Sequence, residues 1–376
     1  MKKVLLLGAS GSIGSQTLDI IRQYPNEFEL VGFSVGKNLA KAKEILNEFK
    51  TVKFAYITSK TPANELKNEF KNVSVFSGKC GLKRIIKKTD FDLCVDALVG
   101  FVGLEPAINV LKKNKILCLA NKEALVAGGT IINKLLDEGK GKLYPIDSEH
   151  VALAKCLSKC DIKDVKSLII TASGGALRNV EISKLAKQTP EDALRHPTWK
   201  MGAKITIDCA TMMNKGFEII EAYYLYHFPL NKIRVQMHDE SLIHSAVELN
   251  DGTLIVDYGK PDMHEPIKWA MFEGKSEFKV YTVKSLDEFK DCHFHEYDYK
   301  RYPCTEIAKQ ALLEGASKMI ALNAANETAV YRFLNHEIGY LDIAKFVGKK
   351  VEEQKLIRNP SLCQIKRIDK KARRVN

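Results

Sequence analysis

The stretch Tyr144-Pro-Ile-Asp-Ser-Glu-His150 closes an apolar run and leads into Val151-Ala-Leu-Ala154, which reads as a helix start. It sets two carboxylates, Asp147 and Glu149, beside the Ser148 hydroxyl and the His150 imidazole. Like charges this close after a buried strand either face solvent or share a positive group, because each opposes ionisation of the other. Lys122 and Glu123, in Leu119-Ala-Asn-Lys-Glu-Ala-Leu125, also follow an apolar run, and alone they are better read as merely beginning a helix. A third group lies in Asp208–Ala222. If this region is helical, Met213, Phe217, Ile220 and Tyr224 form an apolar stripe, and Asn214, Lys215 and Glu218 gather on the neighbouring face. Surface helices often share that pattern, so it gains weight only beside other signals.

Gly8-Ala-Ser-Gly11-Ser-Ile-Gly14 follows the first apolar run and opens a helix-like one, Ser15–Arg22. Glycines there let the backbone turn sharply and approach a pyrophosphate, which a helix N-terminus stabilises. A plain glycine turn is the competing reading. The second strand ends Ser34-Val-Gly-Lys-Asn38, without the acid that usually bonds the ribose 2′-hydroxyl of NAD. Lys37 would attract a 2′-phosphate instead, which favours NADP.

These groups need elements to hold them. Strand candidates at Val4–Leu7, Leu30–Val35, Phe54–Ile57, Val73–Phe76, Leu93–Ala97, Ile116–Ala120 and Leu143–Ile146 alternate with helix-like runs such as Gln16–Arg22 and Leu39–Phe49. The alternation predicts a Rossmann-like, doubly wound parallel sheet in an α/β chain. Further strands are expected at Leu168–Thr171, Ile233–Met237 and Gly252–Val256, in an α+β region. Residues 273–302 read as an irregular connection, and the chain beyond Pro303 as helical.

At 376 residues, 45% hydrophobic and 28% charged, the composition is that of a globular chain of two or three domains. No run approaches the ~18 apolar residues of a membrane helix. The N-terminal apolar core, Val4–Leu7, is too short for a secretory signal, so a cytoplasmic protein is expected. Nine scattered cysteines fit reduced thiols. A net charge of +12 allows nucleic acid, an anionic membrane or anionic small molecules as partners. Part of it lies in the tail from Lys366 to Asn376, which reads as a solvated basic run.

Taken together, "LGASGSIG", "VGKN", "LANKEALV", "PIDSEH", "TASGGALR", "RHPTWKMG", "IDCATMMNKGFEIIEA", "IHSAVELNDGT" and "LNAANE" resemble, in order, the 1-deoxy-D-xylulose 5-phosphate reductoisomerase family. The resemblance implies metal-dependent isomerisation of 1-deoxy-D-xylulose 5-phosphate and NADPH-dependent reduction to 2-C-methyl-D-erythritol 4-phosphate in the non-mevalonate isoprenoid pathway. It implies an NADPH-binding domain over 1–146, a catalytic, metal-binding and dimerisation domain over 147–272, a linker over 273–302 and a C-terminal helical domain over 303–376. Asp147, Glu149 and Glu218 correspond to ligands of Mg²⁺ or Mn²⁺, which an all-oxygen set suits. Three converging carboxylates would indeed repel one another without a cation. Ser10, Gly11, Ser12 and Ile13 should hold the pyrophosphate, and Gly36, Lys37 and Asn38 the adenosine end. Asn121, Glu123 and Gly202 should also touch the cofactor.

Lys122, Ser148 and Glu149 should meet substrate oxygens beside the metal, with Ser173, His196, Cys209, Asn214 and Lys215 on the phosphate side. Trp199 should close over the substrate on a mobile flap. The proton-transfer group stays open among Lys122, His150 and a metal-bound water, as does the choice between retro-aldol cleavage and direct migration. A homodimer is expected, with a phosphorylated sugar as substrate and with neither membrane nor specific nucleic-acid partner.

Two departures stand out. The family carries Ser where this chain has Cys209, and a thiol is the weaker donor; Asp239 and Glu240 replace the Pro-Gln that usually follows His238. Three other readings compete. Cys292-His-Phe-His-Glu296 has ligands that suit zinc, although alternation on a strand would split them between two faces. A different NADP oxidoreductase, of semialdehyde or homoserine dehydrogenase type, explains the glycines but not the carboxylates. A basic, NADP-sensing nucleic-acid-binding protein would account for the charge, yet no groove-reading motif is visible.

Overall fold

Short runs of Val, Ile, Leu and Phe, each bounded by polar or glycine-containing turns, form the expected parallel strands. In the computed structural model, which describes residues 1–199 and 201–375, they are β1 (Lys2–Leu7), β2 (Phe28–Val35), β3 (Phe54–Ile57), β4 (Ser74–Phe76), β5 (Leu93–Asp96), β6 (Ile116–Leu119) and β7 (Lys142–Pro145). Their order is β4-β3-β2-β1-β5-β6-β7, parallel throughout. The central strand is covered on both faces, and Val4 to Leu7 are fully buried, as a continuous apolar run demands. Strand order reverses between β1 and β5, the point at which doubly wound sheets open a ligand crevice beyond the strand C-termini. This sheet belongs to a compact unit of Met1–Ala124, Ile131–Asp147 and Asp262–Ser276.

The second compact unit comprises Leu125–Thr130, Ser148–Pro261 and Glu277–Asn376. Its mixed sheet contains β8 (Val165–Ala172), β9 (Ile233–His238), β10 (Ile243–Leu249), β11 (Leu254–Tyr258), β12 (Tyr281–Val283) and β13 (Phe294–His295). The order is β12-β11-β10-β8-β9-β13, with β8 and β9 parallel and the other pairs antiparallel. The strand β10 was not anticipated. Ser245 and Ala246 are both buried in it, so polar and apolar residues do not alternate along it. One face of the sheet packs on Met212, Ile219 and Ala222 from the helical region below. Leu286, Phe289 and Phe294 lie against the other face, so 273–302 is partly ordered as sheet edge.

The helical C-terminal region is broken at Gly315, whose φ is +128°. Its helices are Pro303–Glu314, Ala316–Leu334, Tyr340–Glu353 and Leu362–Ala372. The basic tail is therefore largely helix, with Lys366, Arg367, Lys370, Lys371 and Arg374 exposed, as a solvated basic run requires. Ile365, Ile368 and Ala372 are buried, and Arg373 reaches Asp369 at 2.7 Å and Glu327 at 2.8 Å. Charge counting along the tail hid its apolar positions, which recur at helical spacing. Among the described residues, no helix is long and apolar enough to cross a membrane.

Candidate active site

The glycine turn stands at the switch point of the parallel sheet. Gly8 has φ +90°, and a Cβ there would lie 2.5 Å from the Ala97 carbonyl oxygen at the end of β5. A Cβ on Gly14 would lie 2.2 Å from the Gly8 carbonyl oxygen, so only glycine lets the Ser12–Gln23 helix seat on the turn. Gly11 caps that helix without a side-chain bond, and Ser10, Gly11 and Ser12 are exposed, with Ile13 half-buried. The first N–H groups of the helix thus face outward, as anion binding requires. Gly36, Lys37 and Asn38 are exposed just beyond β2, and Asn38 accepts the Lys41 N–H to start the Leu39–Glu48 helix.

Asn121, like Glu123, differs from the other expected cofactor contacts in being buried. Its amide donates to the Leu98 and Gly100 carbonyls at 2.7 and 2.8 Å and accepts the Ala124 N–H. It ties the loop after β5 to the Lys122–Asp137 helix. Glu123 is buried one residue into that helix. Sequence reading passed over Asp96, which ends β5 fully buried. Burial, with Glu123 nearby, pushes its carboxyl up to about 8, against a bond from the Leu98 N–H that favours the charged form.

Asp147 directly precedes the Ser148–Leu157 helix, which carries Glu149; Glu218 and Lys215 stand on the Met213–Tyr226 helix. Asp147, Glu149 and Glu218 each present a carboxylate oxygen within 4.8 Å of the others. Glu218 is fully buried and Lys215 nearly so. The Lys215 ammonium bonds Glu149 closely and donates to Glu218 at 2.6 Å, while Asn214 donates to the second Glu218 oxygen at 2.5 Å. Ser148 donates to Glu149 at 2.6 Å, and Lys122 pairs closely with Asp147. Burial alone would lower the Lys215 pKa, but Glu149 and Glu218 outweigh it and hold the ammonium above its usual range. The Met213–Tyr226 helix is thus buried on its charged face as well as on its apolar one.

His150 is fully buried, 3.3 Å from Glu221, and its carbonyl accepts the Tyr226 hydroxyl at 2.5 Å. Both contacts join the two helices that carry Glu149 and Glu218.

On the side where the phosphate is expected, Ser173 follows β8 and its hydroxyl lies 3.3 Å from His196 Nε2. Nδ1 of His196 accepts the backbone N–H groups of Thr198 and Trp199 at 3.3 and 3.1 Å. Burial, then Arg178 and Lys215, lower His196 to about 4. The ring is neutral, so its proton sits on Nε2 and points to Ser173. Trp199 packs 6.2 Å from the His244 ring. Cys209 is half-buried near the end of the Ala203–Thr211 helix, and Gly202 is its exposed N-cap. Met212 breaks the Asp208–Ala222 stretch into two helices, at φ +59°.

His244 received no role from sequence, and neither did Lys155 and Asp257, whose charged atoms lie 3.5 Å apart. Burial lowers the His244 pKa, while Asp257 and Glu149 oppose this. Lone residues on separate strands left no spacing signal. The zinc reading of Cys292–Glu296 gives way to ion pairs. His293 lies 2.6 Å from Glu240 and His295 3.3 Å from Asp239. The two unusual segments therefore hold each other.

A nucleotide-type parallel sheet with an open glycine turn, and a carboxylate cluster of half-buried Asp147 and Glu149 with buried Glu218, define a dinucleotide-dependent oxidoreductase that also handles a divalent cation. Family models for 1-deoxy-D-xylulose 5-phosphate reductoisomerase match residues 4–129, for its C-terminal domain residues 143–226, and for the DXP reductoisomerase C-terminal domain residues 258–375. The chain belongs to the 1-deoxy-D-xylulose 5-phosphate reductoisomerase family. Relatives of that name from Geobacillus sp. (strain WCH70) and Macrococcus caseolyticus (strain JCSC5402) are each 41% identical, covering 100% and 98% of this chain and 98% and 97% of theirs. A DOX-P reductoisomerase crystal structure in complex with NADPH, fosmidomycin and magnesium superposes with a TM-score of 0.90 at 32% identity, over 99% of this chain and 97% of that one. The Zymomonas mobilis reductoisomerase in complex with NADPH gives 0.87 at 34% identity, over 99% and 97%.

Proposed function

We infer that this chain isomerises 1-deoxy-D-xylulose 5-phosphate and reduces the product with NADPH to 2-C-methyl-D-erythritol 4-phosphate, in the non-mevalonate isoprenoid pathway. The observation that carries the reading is the convergence of Asp147, Glu149 and Glu218 within 4.8 Å. Three hard oxygen donors on neighbouring chain positions and one buried helix fit Mg²⁺ or Mn²⁺. A divalent cation held by Asp147, Glu149 and Glu218 would supply Lewis-acid polarisation of the substrate, and NADPH would supply the hydride.

The chain's own groups do the rest. Ser10, Gly11, Ser12 and Ile13 cradle the pyrophosphate, Gly36, Lys37 and Asn38 receive the adenosine end, and Glu123 and Gly202 add cofactor contacts. Asn121 acts by shaping the loop after β5. Lys122 and Ser148 orient the substrate oxygens. Ser173, His196, Cys209, Asn214 and Lys215 bind the phosphate, and Trp199 shields the site from water. Lys122 is the proton carrier we favour, since His150 is fully enclosed and joins two helices.

The sheet of the first 146 residues is the cofactor domain, 147–272 the catalytic and dimer-forming domain, 273–302 the connection and 303–376 the helical domain. The protein works as a cytoplasmic homodimer without a specific nucleic-acid partner.

The test is NADPH oxidation with 1-deoxy-D-xylulose 5-phosphate, with and without Mg²⁺ or Mn²⁺. Metal-dependent consumption yielding the methylerythritol phosphate is expected. Full activity after exhaustive chelation would remove the metal role, and no turnover by NADPH-binding protein would overturn the substrate assignment.

A further inference from the structure

Lys215 stands where a cation would be expected. Its ammonium lies between Glu149 Oε1, which it bonds closely, and Glu218 Oε2, at 2.6 Å. A Mg²⁺ ion bound by both carboxylates would need oxygens at about 2.0–2.1 Å, so ammonium and metal compete for one small space. Asn214 and Ser148 occupy the other oxygens of Glu218 and Glu149, at 2.5 and 2.6 Å, and so fix both carboxylates in place. The side chain also has a second field of action. Its charge is felt at His196, whose Nε2 lies 3.3 Å from the Ser173 hydroxyl on the side where the phosphate is expected. The charge of one lysine therefore acts both on the carboxylates and on His196.

We propose that Lys215 is a built-in counter-ion that fills the cation site of the metal-free protein and is released towards the substrate's phosphate when metal binds. The inference rests on the metal site of the proposed function and adds a coupling between its two ligands. Without metal, the charges of half-buried Glu149 and buried Glu218 stay compensated, so the site keeps its shape. With metal bound, like charge drives the ammonium from the carboxylates to the anion side. Metal and anion then strengthen each other's binding by the same factor, as linkage requires. The order of events follows: the metal-free protein holds its phosphate-binding lysine out of use.

The test compares Mn²⁺ binding, followed by calorimetry, in the wild-type protein, Lys215→Met and Glu218→Gln. Removing the competing ammonium should tighten Mn²⁺ binding by about tenfold or more in Lys215→Met, and Glu218→Gln should bind weakly. If wild-type protein binds Mn²⁺ and Lys215→Met binds it no better, the counter-ion inference fails while the metal site stands. If wild-type and Glu218→Gln proteins bind Mn²⁺ equally poorly, the metal site itself fails and takes the inference with it.

Lys215→Met leaves buried carboxylates without compensation, so it could fold only with metal present. A second measurement then decides, with inorganic phosphate as the probe. Mn²⁺ should tighten phosphate binding to wild-type protein by about fivefold or more, and Lys215→Gln should lose that gain. Phosphate affinity indifferent to Mn²⁺, or an equal gain in Lys215→Gln, overturns the coupling.

Discussion

Replacing Asp96 with Asn should make the parallel-sheet unit more stable at high pH and change little of its pH dependence elsewhere. Asp96 is fully buried at the C-terminal end of β5, and its carboxylate accepts the Leu98 N–H at 3.2 Å. Its carboxyl is pushed from 3.8 up to about 8, by burial first and then by Glu123. The folded state thus binds a proton more tightly than the unfolded one. Stability from this group is fully present below the unfolded value near 4 and is lost as pH rises towards 8. At about 1.4 kcal/mol per pH unit, the displacement sets a ceiling of about 6 kcal/mol.

Relaxation around a real buried charge lowers that figure, and we take about 2 kcal/mol as the least expected between pH 5 and pH 9. The amide of Asn cannot ionise, so Asp96→Asn removes this loss and carries only a pH-independent packing cost. The assay is urea unfolding at pH 5, 7 and 9 in a Trp199→Phe background. Trp269, buried in the same compact unit as β5, then reports unfolding there alone. The free-energy difference between Asp96→Asn and its parent should move in favour of the variant by about 2 kcal/mol or more across that range. A difference constant to within about 0.5 kcal/mol would refute the assignment of a neutral carboxyl to Asp96.

Gly14→Ala would push a methyl to 2.2 Å from the Gly8 carbonyl and 2.6 Å from Ala9 Cα. It should cost about 1–3 kcal/mol of stability and most NADPH affinity, read by thermal denaturation and fluorescence titration; near wild-type NADPH binding would mean that the turn does not hold the pyrophosphate. Lys37→Glu should raise the NADPH dissociation constant by about tenfold while leaving NADH binding nearly unchanged. Parallel loss of both would place Lys37 away from the 2′-phosphate. Cys209→Ser should lower KM for the substrate by up to about fivefold, the scale of one neutral donor at about 1 kcal/mol, and an unchanged or higher KM counts against a phosphate contact at this position.

The parallel sheet was legible because its strands are continuous apolar runs bounded by turn residues, a pattern that needs no tertiary information. Strand β10 was not, since Ser245 and Ala246 are buried together and erase the alternation. The site divides in the same way. Gly8, Gly11 and Gly14 show their purpose by spacing, and Asp147 and Glu149 by crowding. Glu218 needed the family resemblance to join them, because it lies 69 positions beyond Glu149 and only folding brings their oxygens within 4.8 Å. His244, Lys155 and Asp257 carried no local signal at all.

By itself the sequence narrowed the classes of chemistry: a glycine turn that suits a pyrophosphate, a lysine that suits a 2′-phosphate and two crowded carboxylates that either face solvent or share a positive group. Those follow from residue type and short-range spacing, which covalent geometry transmits directly. Tertiary structure decided which charges neutralise which. It set Lys215 between Glu149 and Glu218, paired His293 and His295 with Glu240 and Asp239 in place of a metal, and packed the basic tail as a helix against Glu327. Such pairings depend on distances of a few ångströms between residues far apart in the chain, and on burial that strengthens each charge–charge interaction. Neither quantity exists until the elements have packed.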